Sequence, residues 1–410
     1  MTQMIKHIVA YGLSNVVARA ASFILLPLYA IYLAPEDFGT ATLLWTIIAG
    51  GTAIVIGNLD SAMLRFKDEQ DSISMLAVFG FVATIVIFTV LYIVKSISTL
   101  SLAVTLIIAI DSLSAVLLNG LRSEEDSKGY FIARISYTVT LVSATIFFMK
   151  SKGTVLSAFL AQLCASAISL TYLRFRCVIS TTADISTERI KKYLRYSLPV
   201  AVTVLLFMAL DFLDRWFIEL YMTRADVGFY GAIYRLGMIV SVIVTASQLA
   251  WTPYALKHHD KPETLGRWQI YANFAYAIAC LITVFVLPIA ITKFKLLPEA
   301  YQAYFNLLTP VALSYWIFGV GQAQAASLLH HKKTEWATLS AGLAVVVNIG
   351  LNILLIPDQG LIGAANATLA AYAVYTISIF VLSYKISIIR YNWQLLAALW
   401  AVTGYLLWLA

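Results

Sequence analysis

The sequence predicts an all-α polytopic membrane protein of about 12–13 transmembrane helices, arranged as two six-helix lobes related by a parallel repeat. Three observations predict it. Of the 410 residues, 61% are hydrophobic and 12% charged, with a mean hydropathy of +0.84, whereas a soluble domain is about 45–50% apolar and about 25% charged. Apolar runs of about 20 residues, the length that crosses a hydrocarbon core, follow one another from Ile8 to the C-terminus. Short motifs also recur in the same order in the two halves.

The apolar segments lie at 8–33, 40–63, 75–94, 100–121, 131–149, 154–173, 195–222, 227–250, 268–292, 303–327, 335–356, 361–384 and 394–410. Only Lys6 precedes the first of them, and no small-residue cleavage site interrupts it, so it reads as a retained helix rather than a signal peptide. Between Met75 and Leu121 only Lys95 and Asp111 break the apolar run. One helix of that length would be roughly 70 Å long, more than twice the hydrocarbon thickness, so the chain must turn near Lys95–Thr99. The polar stretch from Arg174 to Arg195 is the longest connection and lies near the midpoint. It is expected to contain a linker, 177–194, between a lobe at 1–176 and a lobe at 195–385, its charges being topogenic. Residues 386–410 then form an additional hydrophobic helix, barely long enough to span.

Placing the N-terminus in the cytoplasm puts nineteen of the 28 Lys and Arg residues in inner connections, Arg134 and Arg195 at the adjoining span ends counted with them, six in outer ones and three (Arg19, Arg215, Arg235) deeper within spans. The positive-inside rule selects that orientation, and the net charge of +7 is then a property of cytoplasmic loops rather than a sign of nucleic-acid binding. The outer connections are all short, which leaves no extended loop for a membrane polymerase or glycosyltransferase. Cys164, Cys177 and Cys280 lack ligand spacing. The His258-His259 and His330-His331 pairs fall in polar connections, and adjacent histidines do not share a helical face. No metal and no cofactor is expected. A Walker-type loop is missing from the sequence, so ATP is not the direct energy source.

The repeat rests on four features. Asp37-Phe38-Gly39 and Asp226-Val227-Gly228 open spans 2 and 8, and aromatic residues follow at Trp45 and Tyr234. Lys128 matches Lys333, and Gly153 matches Gly360. Both halves start with a helix leaving the cytoplasm, so the repeat axis runs along the membrane normal, and such transporters place their site between the lobes. Residues 13–33 and 198–221 are then equivalent helices facing a central groove.

Charge at membrane depth singles out the candidate site residues, because an ionisable group there costs about 2.5–3.5 kcal/mol on insertion scales and faces a cavity or a partner. Arg19 lies roughly 16 Å from the cytoplasmic edge of span 1, and Arg235 roughly 12 Å from the opposite edge of span 8, by helix rise. Asp111 sits near mid-depth on span 4 and is the structural alternative as a partner for Arg19. On span 7, Asp211, Arg215 and Glu219 fall at i, i+4 and i+8, a stripe able to pair internally, with Asp214 beside it. Asp60 and Arg65 lie near the end of span 2, within reach of the interface. Asn348 and Asn352 share a face of span 11, where helix-packing hydrogen bonds compete with sugar contact. Pro27 removes a backbone donor inside span 1 and should bend it.

Several stretches resemble the Wzx-type polysaccharide flippases, of the superfamily that also holds MATE exporters and lipid II flippases. They are Tyr11-Gly12-Leu13 through Arg19, Leu33-Ala34-Pro35-Glu36-Asp37-Phe38-Gly39, Gly57-Asn58-Leu59-Asp60 with Arg65-Phe66, Asp214-Arg215, and Asp226-Val227-Gly228-Phe229-Tyr230. Asn348, Asn352, Leu355-Ile356-Pro357, Gly360, Gly363 and Ala364-Ala365 complete the set. The likeness covers about residues 8 to 384 and departs in span number, since twelve or fourteen helices are usual in that family. It implies transport of an undecaprenyl-pyrophosphate-linked oligosaccharide from the cytoplasmic to the periplasmic leaflet of a bacterial inner membrane. A proton or sodium gradient would drive it, and a polysaccharide polymerase would be a further partner. The resemblance places Arg19 on a cavity wall; with the charge and polarity at membrane depth described above, Arg19, Arg235, Arg215, Asp111, Asp211, Asn348 and Asn352 are the substrate-binding candidates, and Asp60, Arg65, Asp214, Glu219 and Pro27 the gate or coupling candidates. Export of drugs or small solutes is the competing expectation on the same fold.

Overall fold

The computed structural model of the protein describes residues 22–93, 98–177 and 186–408. Arg19 and the Tyr11-Gly12-Leu13 motif lie outside the described residues. Among the described residues the chain is helical without strands, and nine helices are long and apolar enough to cross a membrane. It forms two compact units, 1–205 and 206–410.

In the first unit, α1 (Ser22–Tyr32) contains Pro27 and buries Leu25, Leu26, Tyr29 and Ala30. Then come α2 (Pro35–Ile56), α3 (Leu59–Arg65), α4 (Gln70–Ile93), α5 (Thr99–Ser123), α6 (Ser127–Ser151) and α7 (Val155–Arg176). α2 starts at Pro35, where a missing N–H is harmless, with Glu36 and Asp37 in the first turn against the helix dipole. It stops at Gly57 and Asn58, which take φ of 52° and 60°. The segment 40–63 was expected as one helix; two successive left-handed residues divide it, so Asp60 and Arg65 belong to α3. Of the turn expected near Lys95–Thr99, residues 94–97 lie outside the described residues; Ser98 caps α5, its hydroxyl accepting from the Ser101 N–H at 3.4 Å.

α8 (Thr187–Tyr221) carries the boundary between the units at Leu205/Leu206. The stretch expected as a linker, 177–194, is therefore helical from Thr187 onward. Its first turns are fastened within the first unit: Lys192 Nζ lies 2.5 Å from Glu69 Oε1, and the Tyr193 hydroxyl donates to Glu69 Oε2 at 2.6 Å. The Lys192 hydrogen bond, then that of Tyr193, holds the Glu69 carboxyl below the ordinary glutamate value of 4.5. A depressed folded-state pKa contributes stability that is complete above the unfolded value and lost as pH falls through the folded one. Acidification below about pH 4.5 is thus expected to loosen this fastening and raise protease cleavage near 187–193, and Glu69→Gln should abolish that pH dependence. An identical acid response in the variant would refute the assignment.

The second unit continues with α9 (Arg224–Gly237), α10 (Ile239–Lys257) and α11 (Pro262–Leu281), followed by α12 (Leu287–Lys293), α13 (Glu299–Gln302) and α14 (Leu308–His330). α15 (Thr334–Gln359), α16 (Leu361–Ser383) and α17 (Trp393–Trp408) complete it. Span 8, expected unbroken over 227–250, is interrupted at Met238, whose N–H is still bonded to the Tyr234 carbonyl at 2.9 Å. Gly237 allows the close approach at this break, since a Cβ there would meet Val311 Cγ1 of α14 at 2.5 Å. Between α11 and α12 the chain makes a π-helical turn, Ile282–Val286, just before Pro288, whose missing N–H a regular ladder would need.

The two units share one neighbour pattern. In the first, α5 packs against α2, α4 and α7, and α6 pairs with α7; in the second, α14 packs against α10, α11 and α16, and α15 pairs with α16. By span order these are corresponding helices, which is what a parallel repeat requires. α14 is not one of the nine apolar spans. Enclosed by its neighbours, it need not face lipid, and it buries Ser314, Tyr315 and Gln324.

Candidate functional site

In the first unit, a polar cluster forms around Asp111 on α5. Ser166 on α7 donates its hydroxyl to Asp111 Oδ1 at 2.6 Å, and Gln162, one turn earlier, lies near this carboxyl. Gln162 Oε1 in turn accepts from Trp45 Nε1 of α2 at 3.1 Å. The i, i+4 spacing of 162 and 166 puts both on one face of α7. Arg134 and Tyr137 approach from α6 at i, i+3, both close enough to act electrostatically with Asp111. Arg134 Nε is buried with no hydrogen-bond partner, while its guanidinium lies 5.8 Å from the Tyr130 ring centroid. The sequence reading placed Arg134 with the loop cations and missed it. Its position seven residues beyond the start of α6, roughly 10 Å along the helix, was the signal available.

In the second unit, α8 presents Asp211, Asp214 and Arg215 to tyrosines from three other helices. The hydroxyls of Tyr315 (α14) and Tyr372 (α16) donate to Asp211 Oδ1 at 2.9 and 2.6 Å. The Tyr234 hydroxyl (α9) lies 3.3 Å from that of Tyr315, within hydrogen-bond distance. Tyr230, on α9, donates to Asp214 Oδ2. Arg215 Nη1 is 3.7 Å from Asp214 Oδ1 and donates to the Asp211 carbonyl. Its guanidinium lies 4.7 Å from the Tyr234 centroid and 5.0 Å from that of Phe212.

The expected pairing along the stripe 211, 215, 219 does not form. Asp211 offers Arg215 its backbone carbonyl, because its carboxylate is engaged by tyrosines on neighbouring helices. Glu219 turns to Arg224 at the start of α9, with Nη2 to Oε1 at 2.5 Å. Arg215 is only 3% exposed and lies in this packed cluster rather than on an open wall. Arg235 sits in the last turn of α9, just before the break, and is half-buried.

The remaining candidates are dispersed. Asn348 and Asn352 are fully buried: Asn352 Nδ2 donates to Asn348 Oδ1 at 3.0 Å, and Asn348 Nδ2 to Thr368 Oγ1 of α16 at 3.5 Å, so they bind α15 to α16. Asp60 accepts from Asn119 Nδ2 of α5 at 3.0 Å, and Arg65 lies over the Tyr196 ring at 5.0 Å. Of the histidines, His259 and His330 lie with tilted rings, centroids 4.3 Å apart. Among the described residues, no group of three or more His, Cys, Asp or Glu is arranged to hold a metal.

Buried carboxylates inside apolar helices are costly unless partnered, and in both clusters hydroxyl donors from neighbouring helices supply the partners. Solved structures of low sequence identity share the fold. The chain is similar to the lipid II flippase MurJ in an inward closed conformation, with a TM-score of 0.74 and 13% identity, over 99% of this chain and 92% of that one. It is also similar to an inward-facing multidrug resistance MATE family transporter of the MOP superfamily, with a TM-score of 0.71 and 14% identity, over 90% of this chain and 94% of that one. No curated protein sequence matches the chain significantly. The family model described as polysaccharide biosynthesis protein matches residues 4–259, well over half of the sequence, and the chain belongs to that family.

Proposed function

We propose that the protein is a flippase, not an enzyme, that moves an undecaprenyl-pyrophosphate-linked oligosaccharide repeat unit from the cytoplasmic to the periplasmic leaflet of a bacterial inner membrane. Its product serves O-antigen or another surface polysaccharide, with a polymerase as the next partner. The observation that carries this reading is that a transporter fold and a polysaccharide-synthesis sequence family meet in one chain. Alternating access of lobes 1–176 and 195–385 would carry the head group. The acid clusters at Asp111 and at Asp211 with Asp214 would couple the cycle to a proton or sodium ion. Orientation with a cytoplasmic N-terminus rests on the Lys and Arg distribution. A MATE-like drug exporter is the second reading, favoured by the same buried acids.

Complementation of surface polysaccharide in a flippase-deficient strain, with membrane abundance measured alongside, separates the two. If Arg19 attracts the pyrophosphate, Arg19→Lys retains part of the activity as a point charge without the bidentate fork. Arg19→Ala loses most of it at normal abundance, and Arg19→Glu is inactive. Failure of the wild-type gene to complement, together with drug resistance on expression, would overturn the flippase reading in favour of export.

A further inference from the structure

The C-terminal helix does not close flush on its own unit. Among α11, α14, α16, α17 and the strap 384–392 lies a cavity of about 1000 Å³. Its wall is aromatic and aliphatic, with Phe380, Tyr391, Trp393, Leu396 and Trp400 prominent. Phe380, Tyr391 and Trp393 form a ring cluster with centroid separations of 5.4, 5.6 and 5.1 Å.

Its amide and hydroxyl residues on α11, α14 and α16 are already engaged by the protein, whereas the Tyr391 hydroxyl on the strap is buried without a hydrogen-bond partner. Asn273 accepts from Trp316 Nε1 at 2.9 Å and donates to the Gln269 carbonyl at 2.9 Å. Gln324 Nε2 donates to Ser383 and Ser387 at 2.7 and 3.1 Å, and Thr376 donates to the Ile317 carbonyl at 2.9 Å. With these donors in use, an occupant finds mainly hydrocarbon contact. That selects a long apolar chain over a sugar, whose hydroxyls would be left without partners.

The strap supplies charge beside this apolar space. Arg390 donates its backbone N–H to the Pro262 carbonyl at 3.0 Å, and its own carbonyl lies where a Cβ on Gly266 would be 1.8 Å away, so the strap is pressed onto the start of α11. The Arg390 side chain stays 74% exposed and meets Glu263 at 3.1 Å, a surface pair worth little. Lys261 and Arg267 flank this contact on the α11 side and Lys385 lies on the strap, all exposed, with Asp260 and Glu263 as the opposing acids. A basic rim next to an aromatic-lined apolar cavity matches an anionic head group joined to acyl chains.

We propose that this cavity is a binding site for an anionic bilayer phospholipid, with a chain among Phe380, Trp393 and Trp400 and the head group at Arg390 and Lys385. The lipid is a resident component rather than cargo, and the inference is independent of the transport reading. The test uses purified full-length protein, delipidated and then offered phosphatidylglycerol or phosphatidylcholine, with retained lipid counted by native mass spectrometry. Wild type is expected to retain phosphatidylglycerol in preference to phosphatidylcholine. Ala397→Trp and Val381→Trp each place an indole in the cavity, from α17 and α16. Each should lower retention about tenfold, since displacing a few chain methylenes suffices for that change. Lys385→Glu with Arg390→Glu should remove the preference while leaving phosphatidylcholine unchanged. Elution profile and thermal midpoint identify a misfolded variant, and the other indole variant then decides. Equal retention in a folded indole variant, absence of head-group preference in wild type, or preferential retention of a polyprenyl phosphate would overturn the proposal.

Discussion

Replacing Asp211 with asparagine is expected to bring surface polysaccharide down by roughly 5–150-fold, the range typical of coupling between sites, at near-normal membrane abundance. Asparagine keeps the size of the side chain and can still accept from Tyr315 and Tyr372, but it can neither carry the charge nor take the proton. The tyrosines provide the control. Tyr315→Phe or Tyr372→Phe removes one hydrogen bond to a charged acceptor, worth about 1.5–3 kcal/mol, and should show mainly as a lower thermal midpoint. If activity and abundance of Asp211→Asn fall together, the acid is structural. Normal polysaccharide at normal abundance would remove Asp211 from coupling altogether.

The second large effect is on folding. Arg215→Ala would strand Asp214 in the protein interior, where breaking a buried pair costs about 3–5 kcal/mol. Membrane abundance should drop sharply. Arg215→Lys should rescue it only in part, because an ammonium lacks the planar group that lies against Phe212 and Tyr234. Combining Arg215→Ala with Asp214→Asn removes both charges and is expected to recover most of the loss. Abundance of the single alanine variant equal to wild type, measured by fluorescence-detected size exclusion, would contradict the pairing described.

Hydropathy and charge distribution made the order of the spans legible, because bilayer thickness imposes a length that sequence alone displays. Interruptions within spans were not legible in the same way. The break at Met238 and the π-helical turn at Ile282–Val286 are built of apolar residues but for Thr283, so they leave the hydropathy trace smooth. Gly57-Asn58 did carry a left-handed signature, yet it fell inside an apolar run and was absorbed into it. At the site, spacing brought out Asp211 and Arg215 as neighbours on a helix. It could not reveal that Tyr315 and Tyr372, separated from Asp211 by 104 and 161 positions, would take the carboxylate. Arg134 was hidden by its nearness to a polar loop. The asparagine pair had two readings, and the burial of both residues, with Asn348 bonded to Thr368, supports helix packing.

The two left-handed residues after α2 have a mechanical consequence. α3 is fixed at both ends: Asp60 is bonded to Asn119 of α5, while the Phe66 ring just beyond it packs 5.8 Å from that of Tyr193. α2 joins this footing through Gly57 and Asn58 and also packs along α5, so the two left-handed residues let the chain change direction while both helices keep one common support. The charged foot of the span is thereby held to the same helix as its apolar length.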